Sequence, residues 1–207
     1  MSFRLTLKDG ESLVRLARNA VEQYLQNGKV LSPPKDVPSK FMEKCGVFVT
    51  LNSVRGKEKK ELRGCIGFPY PTLPLVRAVV DSAIDSATQD PRFQPVSYDE
   101  LNSIVFEVSV LTPPKLIKVE KPTEYPSKIE VGKDGLIVER GYYKGLLLPQ
   151  VPIEWNWNEE EFLCQCCMKA GLSPDCWVLE GTKVYKFTCI IAQEIAPNGE
   201  VVVKDLR

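Results

Sequence analysis

The chain has 207 residues, 43% hydrophobic and 26% charged, with 27 basic and 27 acidic side chains and a net charge of zero. That length supports one sizeable core or two small lobes, and the charge balance argues against binding to nucleic-acid backbones, which calls for a basic excess. There is no histidine, which removes Ser-His-Asp and Cys-His catalysis, histidine-ligated zinc and imidazole proton shuttles.

No apolar run approaches the roughly 20 residues of a membrane helix. The polar stretch over residues 1–10 has no signal-peptide core, so a cytoplasmic protein is expected. Leu13, Leu16, Ala17, Ala20, Val21, Tyr24 and Leu25 predict a helix over 11–27, stopped by Asn27 and Gly28. A loop over 29–40 carries Pro33, Pro34 and Pro38. Residues 45–51 and 61–68 read as two strands joined by the charged turn 54–60, an antiparallel hairpin. A second helix spans 73–88. The rigid stretch DPRFQP follows, and Ser97 with Glu100 makes a capping box. Residues 104–111 form a strand with Ile104, Phe106, Val108 and Val110 on one face.

In the second half, 129–131 and 136–140 flank Lys133-Asp134-Gly135, read as a hairpin turn. Residues 146–148 are short and apolar. A helix over 159–170 opens with three glutamates, which suit its dipole. One long strand is expected over 184–195, and Pro197-Asn198-Gly199 turns the chain into a last strand over 201–204. This order predicts an α+β fold, largely antiparallel sheets with flanking helices, in two lobes. The lobes fall at about 1–118 and 119–207, with the boundary in the Pro-rich stretch 112–126 and a discontinuous lobe left open.

The seven cysteines are Cys45, Cys65, Cys164, Cys166, Cys167, Cys176 and Cys189. An odd count in a reducing compartment argues against an extracellular disulfide framework, and one or two disulfides stay open only for a hyperthermophile source. Cys166 and Cys167 continue the apolar stripe of Phe162, Leu163 and Ala170, and a C-x-C-C run inside a helix cannot bring three thiolates onto one ion. The cluster therefore reads as core packing, and neither a metal nor a cofactor is expected. Trp155, Trp157 and Trp177 read as core or lobe-interface residues.

The stretch ELRGCIGFPYP, residues 61–71, carries the candidate chemistry. Strand alternation puts Leu62, Gly64, Ile66 and Phe68 on one face, expected to meet the core, and Arg63, Cys65 and Gly67 on the other. A guanidinium and a thiol then stand roughly 6.6 Å apart, and Gly67 leaves room beside the thiol. A cation at that distance favours the thiolate, and the arginine fork suits a carboxylate or phosphate. Packing glycines with a filler cysteine is the plainer reading of the same pattern.

LRGCIG resembles the signature of the AMMECR family, named for a human Alport-syndrome-associated chromosomal region. GVFVTL (46–51), DPRF (90–93), SVLTPP (109–114), LLPQV (147–151) and KAGL (169–172) are also similar to that family, in its order. The resemblance implies a compact two-lobed α+β protein of a widespread intracellular family, with the hexapeptide as the suspected functional site. It also implies an association with Memo-type and radical-SAM proteins. Asp90 and Arg92, in a Pro-stiffened loop, and Glu107, opposite the Phe106 stripe, join the candidate site, Glu107 as a carboxylate partner for Arg63.

The functional expectation is an enzyme or small-anion-binding protein with Cys65 as thiolate and Arg63 as anchor, bordered by Leu62, Gly64, Ile66 and Gly67. A non-catalytic adaptor using the same motif surface is the alternative. The partner is a small molecule in the first case and a protein in the second.

Overall fold

The computed structural model describes residues 5–34, 36–55 and 59–205. The middle of the expected charged turn, residues 56–58, lies outside them. In chain order the elements are α1 (Leu7–Asn27), β1 (Gly46–Arg55), β2 (Lys59–Phe68), α2 (Leu75–Thr88), β3 (Ile104–Leu111), β4 (Lys115–Leu116), β5 (Gly135–Arg140) and β6 (Tyr143–Leu147). They continue with α3 (Gln150–Glu154), α4 (Glu159–Lys169), β7 (Lys183–Phe187), β8 (Cys189–Glu194) and β9 (Val201–Asp205). The fold is α+β. The chain divides into two compact units: one runs to Leu111 and takes back Ile190–Asp205, and the other is Thr112–Cys189.

The first unit is a five-stranded sheet in the order β2-β1-β3-β8-β9, so β2 is an edge strand. Its core lies between one sheet face and the two helices. Leu13, Val14, Ala17 and Val21 of α1 and Val76, Val79, Ala83 and Ala87 of α2 pack with Val47, Val49, Leu51, Phe106, Val108 and Val110. α1 starts four residues before the expected position. Thr6 caps it by accepting from the Asp9 N–H, while Asp9 accepts from the Thr6 N–H at 2.6 Å. The apolar stripe alone missed that polar first turn.

The second unit is a four-stranded sheet, β4-β7-β5-β6, with α4 packed on it. Asn158 and Glu161 form a capping box at the start of α4. Three expectations change here. Residues 129–131 are not a strand. Asp134 turns back to accept from the Glu130 N–H at 2.9 Å, and β5 pairs with β6 and β7 instead. The single strand expected over 184–195 is two strands in two sheets, β7 and β8, parted at Thr188. No glycine or proline marks that break in the sequence. Cys167 and Cys176 form a disulfide from α4 to the turn after it, so Cys167 does more than pack; Cys45, Cys65, Cys164 and Cys166 are free thiols. Trp177 is buried, whereas Trp155 is 67% exposed and is not a core residue. No helix among the described residues is long and apolar enough to cross a membrane.

Candidate functional site

β2 and β1 pair with a bulge. Thr50 faces Cys65 and Leu51 faces Gly64, but Asn52 faces Leu62, so Arg63 is the extra residue. The bulge resets the alternation. Leu62 moves to the face of Thr50 and Cys65 and is 41% exposed, which corrects its expected place against the core. Gly64 and Ile66 stay opposite Leu51 and Val49 on the core side.

The glycines of the motif are packing positions. A Cβ on Gly64 would lie 2.0 Å from the Ser86 carbonyl oxygen of α2. The same close approach lets the Ser86 hydroxyl accept from the Ile66 N–H at 2.8 Å and donate to the Val49 carbonyl at 2.7 Å. A Cβ on Gly67 would lie 2.2 Å from the Val47 carbonyl and 2.6 Å from the Phe48 ring. The space expected beside the thiol is therefore filled by Phe48.

Arg63, swung out by the bulge, reaches the loop that follows α2. Its Nε and Nη2 donate to both oxygens of Glu100 at 3.0 and 3.2 Å, and Nη1 and Nη2 donate to the carbonyls of Gln94 and Pro95. Its carboxylate partner is Glu100, not Glu107. The Arg63 guanidinium holds the Glu100 carboxyl below its ordinary value, and Glu100 also accepts from the Ser97 N–H at 2.8 Å. Every nitrogen of the Arg63 fork is thus committed to the protein.

Asp90 and Arg92 seal the open edge of β2. The Cys65 N–H donates to Asp90 Oδ2 at 2.8 Å, and Arg92 Nη2 donates to the Cys65 carbonyl at 3.3 Å. Arg92 also clamps both Asp90 oxygens, Nε to Oδ1 at 2.9 Å and Nη2 to Oδ2 at 2.7 Å. An edge strand presents unpaired backbone groups, and here an aspartate and an arginine satisfy one of each. This clamp joins the LRGCIG and DPRF stretches into one structural unit.

The AMMECR1 family model matches residues 14–192 of the chain. The chain belongs to the AMMECR1 family. Protein PH0010 of Pyrococcus horikoshii is 58% identical over 206 residues, covering 100% of each chain. Protein MJ0810 of Methanocaldococcus jannaschii is 52% identical over 202 residues, covering 98% of each. The crystal structure of uncharacterized protein PH0010 superimposes with a TM-score of 0.90 at 59% identity, over 95% of this chain and 96% of that one. These names state no activity, so AMMECR1 membership carries the fold, and chemistry has to be argued from the side chains.

Cys65 is half-buried and heads a polar row across three strands. Thr50 stands opposite it on β1, and Glu107 stands opposite Thr50 on β3. The Thr50 hydroxyl donates to Cys65 Sγ at 3.2 Å. Burial pushes the Cys65 thiol up. The Thr50 hydrogen bond and Arg92 oppose that rise, while Glu107 and Asp90 add to it. The cation that acts on the thiol is therefore Arg92, not its sequence neighbour Arg63. Sequence reasoning passed over Thr50, Ser86 and Glu100 as site residues; only Glu100 left a signal, in its capping box with Ser97. Among the described residues, no cluster of three or more metal-ligating side chains occurs.

Asp90 gives this clamp a pH dependence. Its hydrogen bonds to Arg92, and secondarily to the Cys65 N–H, lower its pKa to about 2 against the opposing effect of burial. An unfolded aspartate titrates near pH 3.9. The folded value is the lower one, so the stabilisation is complete above about pH 4 and is lost as pH falls toward 2. Arg92 is 49% exposed, so solvent screens part of the gain, and about 1–2 kcal/mol is expected. Asp90→Asn keeps an acceptor for Cys65 but removes the charge. Urea unfolding free energies should show a wild-type decline over this window that is flattened in the variant; parallel curves would refute the assignment.

Proposed function

We propose that the protein binds, and acts on, a small anionic molecule at the Cys65–Arg92 face of β2, with Arg92 in the anchoring role first expected of Arg63. The observation that carries this reading is the state of the two guanidinium groups. Arg63 spends Nε, Nη1 and Nη2 on Glu100, Gln94 and Pro95. Among the described residues, Arg92 uses only Nε and Nη2 as side-chain donors, so Nη1 is the donor an incoming anion would meet. Asp90 fixes the guanidinium in place, which lowers the ordering cost of binding. Cys65 is the reactive group, protonated at neutral pH because burial outweighs Thr50 and Arg92. Leu62, Ile66 and the two glycines shape the strand that presents it. The thiols of Cys45, Cys65, Cys164 and Cys166, which are outside the single disulfide, favour a cytoplasmic setting.

Site-resolved alkylation of the folded protein tests this reading. Cys65 should react with iodoacetamide slowly at pH 7 and faster as the pH is raised, and inorganic phosphate should slow it. Cys45 and Cys166, whose thiols burial pushes up to about 11 and about 12, should stay protected. Labelling of Cys65 only after unfolding would sink the reactive-thiol reading; indifference to phosphate would sink the anion site.

The adaptor reading has one observation in its favour, the exposed side chain of Leu62 on the motif strand. Arg63→Glu is a poor test of it, because that change also breaks the Glu100 clamp. Leu62→Asp tests the surface alone: loss of a partner from an otherwise stable protein supports the adaptor, and unchanged partner recovery counts against it.

A further inference from the structure

The second unit carries a separate cleft of about 220 Å³, lined by Trp157, Asn158, Glu160, Glu161, Cys164 and Gln165. The wall of that cleft is built rather than incidental. Asn156 adopts φ 53, a left-handed conformation uncommon outside glycine, between Trp155 and Trp157. The turn is held by the Trp157 N–H donating to the Pro152 carbonyl at 2.8 Å. It stacks the two indoles with centroids 6.1 Å apart and planes 16° apart. Trp155 remains 67% exposed, at the expense of burying a large apolar ring. Trp157 is half-buried against the core of the unit, so its ring plane is fixed from behind.

The charge around the cleft selects the ligand. The six lining residues include two glutamates, Glu160 and Glu161, and no lysine or arginine. A helix N-terminus by itself attracts anions, but here carboxylates already fill the first turn of α4. Asn158 and Glu161 are occupied with each other's backbone N–H groups in the capping box. Glu160 is exposed and makes no hydrogen bond or ion pair among the described residues, so its carboxylate is available to a ligand. An indole face beside an unspent carboxylate is the arrangement that holds an alkylated ammonium group.

We propose that this cleft binds an organic cation, a quaternary or alkylated ammonium group held against the Trp157 ring and countered by Glu160. The site rests on none of the Cys65 argument. Its test is a titration of the ¹⁵N-labelled protein, following the Trp157 indole N–H resonance. The probes are choline and its uncharged carbon isostere, 3,3-dimethyl-1-butanol. Choline should give a saturable shift in about the millimolar range, with the isostere weaker by about fivefold. Glu160→Gln, at an exposed position, should weaken choline by a similar factor and leave the isostere unchanged. Trp157→Leu, followed through the side-chain amide resonance of Gln165, which also lines the cleft, should remove the binding of both. Equal binding of the two probes overturns the proposal. So does the absence of a saturable shift, or a methyl glucoside that binds where choline does not.

Discussion

Gly64→Ala should destabilise the protein by about 3 kcal/mol or more, near the upper end for overpacking, and lower its melting temperature by roughly 6–12 °C. The added methyl would sit 2.0 Å from the Ser86 carbonyl oxygen and 3.0 Å from its carbon. Both are backbone atoms of α2, so no rotamer change relieves the overlap. The helix must lift from the sheet by more than an ångström on van der Waals grounds. Lifting it also strains the two Ser86 hydroxyl bonds, to the Ile66 N–H and the Val49 carbonyl. Ser86→Ala separates the two effects, because it removes the hydroxyl and keeps the close approach; it should cost about 1–2 kcal/mol. Thermal and urea unfolding of both variants decide the matter. A Gly64→Ala protein within about 1 kcal/mol of wild type would show that α2 can move, and the packing account of this glycine would fail.

The same motif shows what the sequence can and cannot reveal. Alternation correctly put Ile66 and Gly64 on the core side and Cys65 on the other. It failed at Leu62, because a bulge is a feature of the pairing between strands and leaves no trace in one strand's own pattern. The arginines failed for a related reason. Arg63 and Cys65 are two apart in sequence, and proximity along the chain suggested an interaction. The bulge sends Arg63 to Glu100, 37 residues away, while Arg92, 27 residues from Cys65, lies over its carbonyl. Long-range partners are set by how α2 returns the chain to the edge of β2, and that is a property of topology. α1, α2, α4 and the β1–β2 hairpin were legible because their signals are local (apolar spacing, caps and turn residues), whereas the short α3 was not read. The break at Thr188 was not, because β7 and β8 belong to different sheets yet no glycine or proline separates them in sequence.

Glu194→Gln should cost about 3–5 kcal/mol, the expected result of taking from a buried cation its close carboxylate partner and leaving it only the looser pair with Glu22 at 3.8 Å. Glu194 is fully buried in β8. Arg18 Nε and Nη2 donate to its two oxygens at 2.9 and 2.6 Å, Arg15 Nη1 donates at 3.0 Å, and the Phe106 N–H donates at 3.1 Å. Arg18 is itself 3% exposed, donates to the carbonyls of Leu101 and Ile104, and lies 4.5 Å over the Phe106 ring. One carboxylate thus ties α1 and β3 to β8, which already lies beside β3 in the sheet of the first unit. Glutamine preserves the volume and can still accept from Phe106, so the variant isolates the charge. Arg15→Ala should cost about 1 kcal/mol or less, since that side chain is partly solvated and Arg18 remains. Because Arg18 and Glu194 share one network, the double replacement Arg18→Met with Glu194→Gln should cost less than the sum of the two single changes. Urea unfolding of the four proteins measures that coupling. Additive costs would mean that the pair is held by its surroundings rather than by each other.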